Sequence, residues 1–271
     1  MKIKTLVALV VFSALVLKLT TYAKDGDKKV IREKSIQISA GKKITISTDV
    51  GDVSVTPWSK SEVYIKILGS SDDAEDFTFD INSTSEEVLI KSKQKQNSEH
   101  KRSWSWLNNS HLKFEIKVPT NFDINTSTSG GDIKIGGVNG SINLNTSGGD
   151  IWGDRFEGNF SAKTSGGDIK LYASKASIYA STSGGDIQLK YTGENKGIEL
   201  KTSGGDIDID IPFDFNAQAE ILTSGGEVTC NLPLNNVKNL SETKIVGNIN
   251  NGGEKLFAST SGGDITVYKS K

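Results

Sequence analysis

The chain has 271 residues, and its 32 basic and 33 acidic side chains leave a formal net charge of −1. That balance gives no electrostatic reason to bind nucleic acid, which requires a clustered basic surface, so no nucleic-acid partner is predicted. A single cysteine, Cys230, excludes an internal disulfide, and 28 glycines with only four prolines are typical of an all-β chain with many tight turns.

The first residues predict an exported protein. Two lysines precede an apolar run at residues 6–17, and Thr21 and Ala23 provide the small residues of a cleavage site. This is the layout of a secretory signal peptide over residues 1–23. The protein is therefore expected at the cell surface, in the periplasm or outside the cell.

A membrane anchor is the alternative interpretation of the same run. The run is shorter than the roughly 18 to 20 apolar residues that a span needs, and Lys18 ends it. The mature chain is therefore predicted to be residues 24–271, without a transmembrane span after cleavage. Loss of three lysines with the leader moves its formal charge to −4. No cysteine lies near the cleavage site, so no lipoprotein anchor is predicted.

Residues 24–124 are predicted to form an irregular β cap before the repeats. A repeat stack needs its first coil covered, because an open strand edge pairs with other chains. Short segments in this region alternate apolar and polar residues, as strands with one buried face do, at residues 36–38, 44–46, 63–67, 77–81 and 88–91. The polar residues 91–113 predict a mobile loop within the cap.

The pentapeptide Thr-Ser-Gly-Gly-Asp dominates residues 125–271. It begins at residues 128, 146, 164, 182, 202 and 260, and a further copy at residue 223 ends in Glu227. The first four copies are 18 residues apart, and the next two steps are 20 and 21 residues. The 37 residues before the last copy have room for two repeats, and residues 246–249 are interpreted as a decayed eighth turn.

A strand with one buried face is predicted after each turn. Counting from the threonine, the fifth and seventh residues are apolar in nearly every copy and the sixth is mostly polar. The fifth residues are Ile133, Ile151, Ile169, Ile187, Ile207, Val228 and Ile265. A second apolar pair, such as Ile142 and Leu144, predicts a second short strand in each coil. Cys230 falls on the seventh position, so we expect a small buried core residue there, not a reactive thiol.

One repeat has too few apolar side chains to bury its own inner face, so the repeats are expected to stack. At a strand spacing of about 4.8 Å, eight coils would form a rod of roughly 40 Å. The predicted fold class is all-β: a single-stranded β-helix, or β-solenoid, of about 18-residue coils with the N-terminal β cap. Its handedness and its number of faces stay open.

The turn residues have a physical explanation in this fold. Paired glycines permit positive φ and let adjacent coils approach closely, while the Thr, Ser and Asp side chains bond backbone groups nearby. We therefore predict that Gly167→Val destabilises the protein by about 2 kcal/mol or more through forced backbone strain.

The repeats resemble the DUF4097 family of bacterial β-strand repeat proteins, which are described as candidate adhesins. The resemblance is carried by the TSGGDI copies, by residues 48–58, similar to the family's opening coil and following tryptophan, and by residues 114–119, similar to the strand that leads into the repeats. It covers about residues 30–271. It implies the repeat architecture and surface adhesion, and it brings no catalytic residues.

The acidic residues that close the turns are the candidate cation site. In-register stacking would place neighbouring carboxylates about 5 to 7 Å apart, with a repulsion of order 1 kcal/mol per pair in water that bound calcium would relieve. The column consists of Asp132, Asp150, Asp168, Asp186, Asp206, Glu227 and Asp264. Calcium prefers about six or more oxygens, so hydrogen bonding of these carboxylates to turn amides is the favoured alternative. No other cofactor is predicted.

Catalytic chemistry has little support in the sequence. His100 and His111 lie in the predicted loop without cysteines or acids at zinc-ligand spacing. Polysaccharide-cleaving β-helix proteins use clustered acids and a basic residue in a cleft, whereas Arg155 is the only arginine of the repeats and the acids are evenly spaced. Because a regular array indicates a scaffold, no catalytic residue is predicted.

Exposed aromatic and basic residues are the candidate binding contacts. Trp104 and Trp106 end the predicted loop, where they would stack on a sugar or enter a membrane interface, unless they pack back onto the cap. The outward positions of the strands add Lys134, Trp152, Lys170, Tyr172 and Tyr179.

These features predict an exported, non-enzymatic binding scaffold. Its partner would be a cell-surface polymer or protein, as for an adhesin. One alternative is a periplasmic or envelope accessory or signalling protein that binds another protein, and a less favoured one is a polysaccharide-active β-helix enzyme. Self-association through the last coil is also open, because no obvious cap follows Tyr268.

Overall fold

The computed structural model describes residues 28–95 and 112–270. Their regular secondary structure is almost entirely β-strand, which confirms the all-β prediction, and the sequence did not predict the one short helix of the described residues, α1 (Ser71–Asp76). Ser70 caps α1: its hydroxyl accepts the Asp73 amide, while the Asp73 carboxylate accepts the Ser70 amide. Within the two described ranges no helix has the length and hydropathy of a membrane span.

Two layers of strands, parallel along most of the stack and called sheets 1 and 2, form the two faces of a β-solenoid. Sheet 1 includes the strands that follow the repeat turns. In order along the stack it consists of β1 (Lys29–Gln37), β4 (Glu62–Gly69), β7 (Lys113–Pro119), β3 (Asp52–Trp58), β9 (Ile133–Gly136), the first parts of β11 (Ile151–Lys163) and β12 (Ile169–Ser181), β13 (Ile187–Thr192), β15 (Ile207–Ile211), β21 (Ile265–Lys269) and β17 (Val228–Cys230).

Sheet 2 carries the second strand of each coil. In the same order it consists of β5 (Phe77–Ser83), β6 (Glu87–Gln94), β2 (Lys43–Thr48), β8 (Asp123–Thr128), β10 (Asn139–Asn145), the second parts of β11 and β12, β14 (Ile198–Lys201), β20 (Lys255–Thr260), β16 (Ala217–Thr223), β19 (Lys244–Ile249) and β18 (Leu234–Ser241). Strands β11 and β12 are continuous between the sheets and bend near Arg155 and Lys175, whose φ angles are 50° and 51°.

The core lies between the sheets as one apolar cluster. Equivalent residues stack in columns because the parallel strands pair in register: Ile133, Ile151 and Ile169 are register partners and are fully buried. This confirms the predicted inward strand positions. Cys230 packs against this core as predicted but is only partly buried, because it lies on the short edge strand β17.

A glycine interrupts the column of seventh-position residues and leaves room for two rings. The Phe156 and Phe160 rings stack with centroids 4.0 Å apart, and a Cβ on Gly153 would approach each ring at 2.9 Å. In this coil the two aromatic rings therefore fill the space that an aliphatic side chain at the seventh position fills in other coils.

The order of the coils in the stack differs from their order in the sequence. Strand β20 pairs with β14 and β16, and β21 pairs with β15 and β17, so the last coil lies between two coils that precede it. The predicted decayed turn at residues 246–249 is wrong: these residues belong to β19, which pairs antiparallel with β16. Likewise, the coil β2–β3 lies between β6–β7 and β8–β9.

Antiparallel strands cover one end of the stack on both sheets and the other end on sheet 2, while sheet 1 ends there in the short parallel strand β17. At one end β4 and β1 follow β7 in sheet 1, and β5 follows β6 in sheet 2; at the other end β19 and β18 follow β16. The expected open coil after Tyr268 is therefore wrong, because β21, which carries Tyr268, is an inner strand of sheet 1. An edge blocked by antiparallel strands stops the repeat pairing, which is the role predicted for the N-terminal cap.

The predicted alternating segments of the cap are strands, namely β1, β2, β4, β5 and β6. Strand β6 continues to Gln94 and β7 begins at Lys113, so both ends of the segment predicted as a loop, residues 91–113, are strand. His100, Trp104, Trp106 and His111, like the predicted signal peptide, lie outside the described residues.

Candidate binding surface

The buried threonines of the repeat turns hold adjacent coils together. The Thr182 hydroxyl donates to the carbonyl of Gly167, one coil away, at 2.9 Å, and accepts the amide of Gly185 in its own turn at 3.4 Å. The same pair of bonds recurs at Thr146, Thr164, Thr202, Thr223 and Thr260. The threonine of each repeat therefore points inward and satisfies backbone groups that two coils bury.

The acidic residues of the turns form a hydrogen-bonded ladder along the stack. In each step a carboxylate oxygen, Oδ1, accepts the backbone amide of the next acidic residue at 2.8–3.0 Å. The ladder runs in the order Asp52, Asp132, Asp150, Asp168, Asp186, Asp206, Asp264 and Glu227. Amide bonding, the alternative to calcium in the sequence analysis, is thus what the geometry shows.

Asp52 was not predicted as a member of this ladder. The signal was present in the sequence, because Thr48, Gly51 and Asp52 keep the threonine, second glycine and aspartate of the repeat and are followed by the buried Val53. Thr48 and Thr128 are register partners, so the turn at residues 48–52 belongs to the same stack.

Calcium at the ladder stays a prediction. One oxygen of each ladder aspartate is already engaged by an amide, which leaves at most one carboxylate oxygen per turn for a cation. Across residues 28–95 and 112–270, no group of three or more acidic, histidine or cysteine side chains is arranged to hold a metal ion.

An exposed tryptophan lies between two lysines on the outer face of sheet 1. Lys134, Trp152 and Lys170 are register partners on β9, β11 and β12, so their side chains stand side by side on adjacent strands. The Trp152 side chain is 45% exposed. The three predicted contacts are thus brought together by the solenoid, because each occupies the sixth position of its repeat.

A groove of about 320 Å³ lies between the carboxylate ladder and these three residues. Eight outward side chains of four consecutive coils line it, with the buried Ile169 at its floor: Asp132, Asp150, Asp168, Asp186, Lys134, Trp152, Lys170 and Gln188. Lys134 Nζ lies 4.0 Å from Asp132 Oδ2. We call these eight residues the tryptophan groove. It offers one aromatic face, cationic donors and carboxylate acceptors within a short distance.

The two predicted tyrosines lie on different faces. Tyr172 is on sheet 1, where the Lys170 Nζ lies 5.8 Å from its ring centroid, so it extends the tryptophan groove. Tyr179 is on sheet 2, between Lys163 at 5.2 Å and Lys201 at 5.9 Å from its ring centroid. The structure therefore separates Tyr179 from the other candidates, since β12 continues from one sheet to the other between the two tyrosines.

The far end of the same face is acidic. Burial, together with the carboxylates of Asp206 and Asp186, raises the pKa of Asp208 above its usual range. One strand position away, Asp210 pairs with Lys190 at 3.2 Å. The repeat pattern predicted only the acids that close the turns, and the register of β13 and β15 is what adds Asp208 to them.

Arg155 and Cys230 are the remaining reactive side chains among the described residues. Arg155 pairs with the adjacent Asp154 at 3.0 Å at the bend of β11 and has no acid cluster beside it. Burial raises the pKa of the Cys230 thiol, which keeps the thiolate scarce at neutral pH.

The geometry defines the class of protein: a two-faced β-solenoid whose coils are joined by Thr, Gly and Asp ladders and whose sheets face solvent. The model of the Toastrack DUF4097 family matches residues 107–268, which is more than half of the chain, and the protein belongs to this family. The match confirms the resemblance inferred from the repeats. No curated protein gives a significant sequence match to the chain.

Several solved structures resemble the chain at low identity. A candidate cell adhesion protein from Clostridium sporogenes has 10% identity and a TM-score of 0.38, covering 88% of this chain and 99% of that one. A candidate adhesin from Bacteroides fragilis has 12% identity and a TM-score of 0.38, with coverages of 88% and 96%. A candidate lipid binding protein from Parabacteroides distasonis has 14% identity and a TM-score of 0.36, with coverages of 91% and 98%. None of these descriptions names an enzymatic activity.

Proposed function

We propose that the protein is an exported, non-enzymatic binding scaffold whose tryptophan groove holds a cell-surface polysaccharide. One observation carries the proposal: Trp152 stands exposed between Lys134 and Lys170, opposite the row of ladder carboxylates. An indole ring stacks on the apolar face of a sugar ring, while lysines donate to and carboxylates accept from its hydroxyl groups. A flat groove across several coils suits a chain of sugars better than a single small molecule.

The scaffold that carries the groove supports binding over catalysis. The groove residues project from paired parallel strands above a filled core, so their spacing is held by the sheet and little order is lost on binding. Its carboxylates repeat evenly and bond backbone amides, which is the arrangement of a structural ladder and not of an acid cluster poised for proton transfer.

The binding test compares two aromatic residues on opposite faces of the same coil region. Trp152→Ala and Tyr179→Ala would be purified and applied to an array of bacterial and host polysaccharides beside the unaltered protein. We expect Trp152→Ala to weaken the strongest polysaccharide signal by about ten-fold or more, and Tyr179→Ala to leave it unchanged. Equal thermal unfolding temperatures of the two variants would show that the loss is local. Full binding by Trp152→Ala would end the proposal.

Export and surface exposure need a separate measurement. Intact cells would be treated with protease, and peptides released from residues 91–113 would be detected by mass spectrometry beside a cytoplasmic control. Release from intact cells is the expected result for an adhesin. Protection that ends when the envelope is opened would instead favour the envelope accessory protein, whose partner would then be sought among proteins.

A further inference from the structure

The coil β20–β21 fills a slot between two coils that precede it in the sequence. On one side its Thr260 hydroxyl donates to the carbonyl of Gly205 at 2.8 Å, and its Asp264 amide donates to the carboxylate of Asp206 at 2.8 Å. The backbone continues this contact, since β20 pairs with β14 and β21 pairs with β15 in full register.

On the other side of the slot, the coil β20–β21 accepts the equivalent hydrogen bonds. The Thr223 hydroxyl donates to the carbonyl of Gly263 at 2.8 Å, and the Glu227 amide donates to the carboxylate of Asp264 at 2.8 Å. The coil thus acts as donor on one side and acceptor on the other, as every inner repeat does. The slot selects for a Thr-Ser-Gly-Gly-Asp coil, and a second copy of the chain presents the same coil.

The connection into this coil is a tight loop with unusual backbone angles. The φ angles of Asn250, Gly252 and Gly253 are 50°, 76° and 150°, so three of its residues lie in the region that favours glycine. Loops of this kind open by rotation at a few residues, as hinges do. β21 is the last described strand, and β17, whose one described strand partner is β21, loses its pairing only while the slot is empty.

The second out-of-order coil provides a contrast. The coil β2–β3 also lies between two coils that are not its sequence neighbours, but β1 before it and β4 after it pair with each other at the end of the stack. Removing β2–β3 would therefore unfold the cap. Of the two intercalated coils, β20–β21 is the one that can leave and return as a unit.

We propose that residues 255–269 are exchanged between two copies of this chain, each copy inserting β20–β21 into the slot of the other. The exchanged dimer keeps the hydrogen bonds that β20–β21 makes with both neighbouring coils. The two states therefore differ in the bonds of the hinge, such as that from the Asn250 side-chain amide to the carbonyl of Phe215, and in the loss of freedom on association. The proposal is independent of the polysaccharide-binding function, because the slot lies beyond the tryptophan groove along the stack.

Single cysteines at neighbouring outward positions test this exchange in the full chain. Asp208 has Gln188 on one side and Thr266 on the other as register partners, and all three side chains point to solvent. In a Cys230→Ser background, chains carrying Asp208→Cys and Thr266→Cys would be mixed, either as folded proteins or by refolding together, and then oxidised. Cα positions on adjacent strands are close enough for a disulfide. We expect a heterodimer disulfide, because β21 of one chain lies beside β15 of the other.

The matched control pairs Asp208→Cys with Gln188→Cys, whose strands do not exchange, and should give no heterodimer above chance collision. A single chain carrying both Asp208→Cys and Thr266→Cys should oxidise internally, which verifies that the pair has competent geometry. If that chain oxidises and the mixed Asp208→Cys and Thr266→Cys chains give no more heterodimer than the control, under either mixing condition, the exchange does not occur and the proposal is wrong.

Discussion

The Oδ1 atom of Asp150 accepts the backbone amide of Asp168 at 2.8 Å, although 18 residues separate the two in the sequence. They occupy the same position in adjacent coils, and each aspartate thus serves the next turn in the stack. The carboxylate is consequently part of the contact between coils, and its recurrence gives the turn amide of the next coil a charged acceptor at every step.

Removing one ladder acceptor should destabilise the stack locally. The Asp168 carboxylate accepts the Asp186 amide at 2.8 Å, so Asp168→Ala leaves that amide without its partner. We expect a loss of about 1 to 2 kcal/mol in the free energy of unfolding, and faster hydrogen exchange of the Asp186 amide. Asp168→Asn keeps an acceptor oxygen and should lose less. Urea unfolding that ranks Ala and Asn equal would contradict the role assigned to Asp168.

The two glycines of one turn should differ sharply in tolerance. A Cβ on Gly167 would overlap the carbonyl oxygen of Gly149 in the adjacent coil, whereas a Cβ on Gly166 has no heavy atom closer than 3.7 Å. Gly167→Ala should therefore cost about 3 kcal/mol or more, and Gly166→Ala less than about 1 kcal/mol. Thermal unfolding of the two purified variants measures the difference, and similar melting temperatures would refute the close-approach explanation.

Replacing a buried threonine outside the repeat turns should not lower the stability of the fold. Thr126 is fully buried in the core, and its hydroxyl has no hydrogen-bond partner among the described residues. Thr126→Val should raise stability by about 1 kcal/mol, because an unpaired polar group leaves the core. Thr182→Val is the matched control: it removes two ladder bonds and should cost about 1 to 3 kcal/mol. If chemical denaturation shows that both variants change the free energy of unfolding in the same direction, the roles given to Thr126 and Thr182 are wrong.

The raised pKa of Asp208 makes the acidic end of sheet 1 sensitive to pH. An acid with a raised folded-state pKa gives stability that is complete below its unfolded pKa of about 3.9 and is lost as the pH rises through the folded value. Asp208→Asn should therefore unfold at higher urea concentration than the unaltered protein at about pH 7, with the gap closing near pH 3. If the difference between the two urea midpoints grows as the pH falls, the predicted direction of the pH dependence is wrong.

Of the two reasons predicted for the paired turn glycines, the structure supports one at Gly167. Its φ lies outside the positive region, so the backbone strain predicted for Gly167→Val does not arise from φ. The predicted close approach of adjacent coils is present, because a Cβ on Gly167 would overlap the carbonyl oxygen of Gly149. The binding candidates also differ in how far the sequence predicted their positions. Lys134, Trp152 and Lys170 share a repeat position and therefore lie together on one face. Tyr179 lies on the other sheet, because it follows the bend of β12.

The sequence by itself determined the repeat unit, the inward and outward positions of its strands and the stacking of its turns, because these follow from a period of two within strands and of about 18 between coils. Only the tertiary structure decided the order of the coils. Identical Thr-Ser-Gly-Gly-Asp turns offer identical bonding edges, so local chemistry accepts any neighbour. The chain outside the repeats decides which coils become neighbours. The antiparallel strand β19, itself paired with β18, occupies one edge of β16, so only the other edge is left for β20.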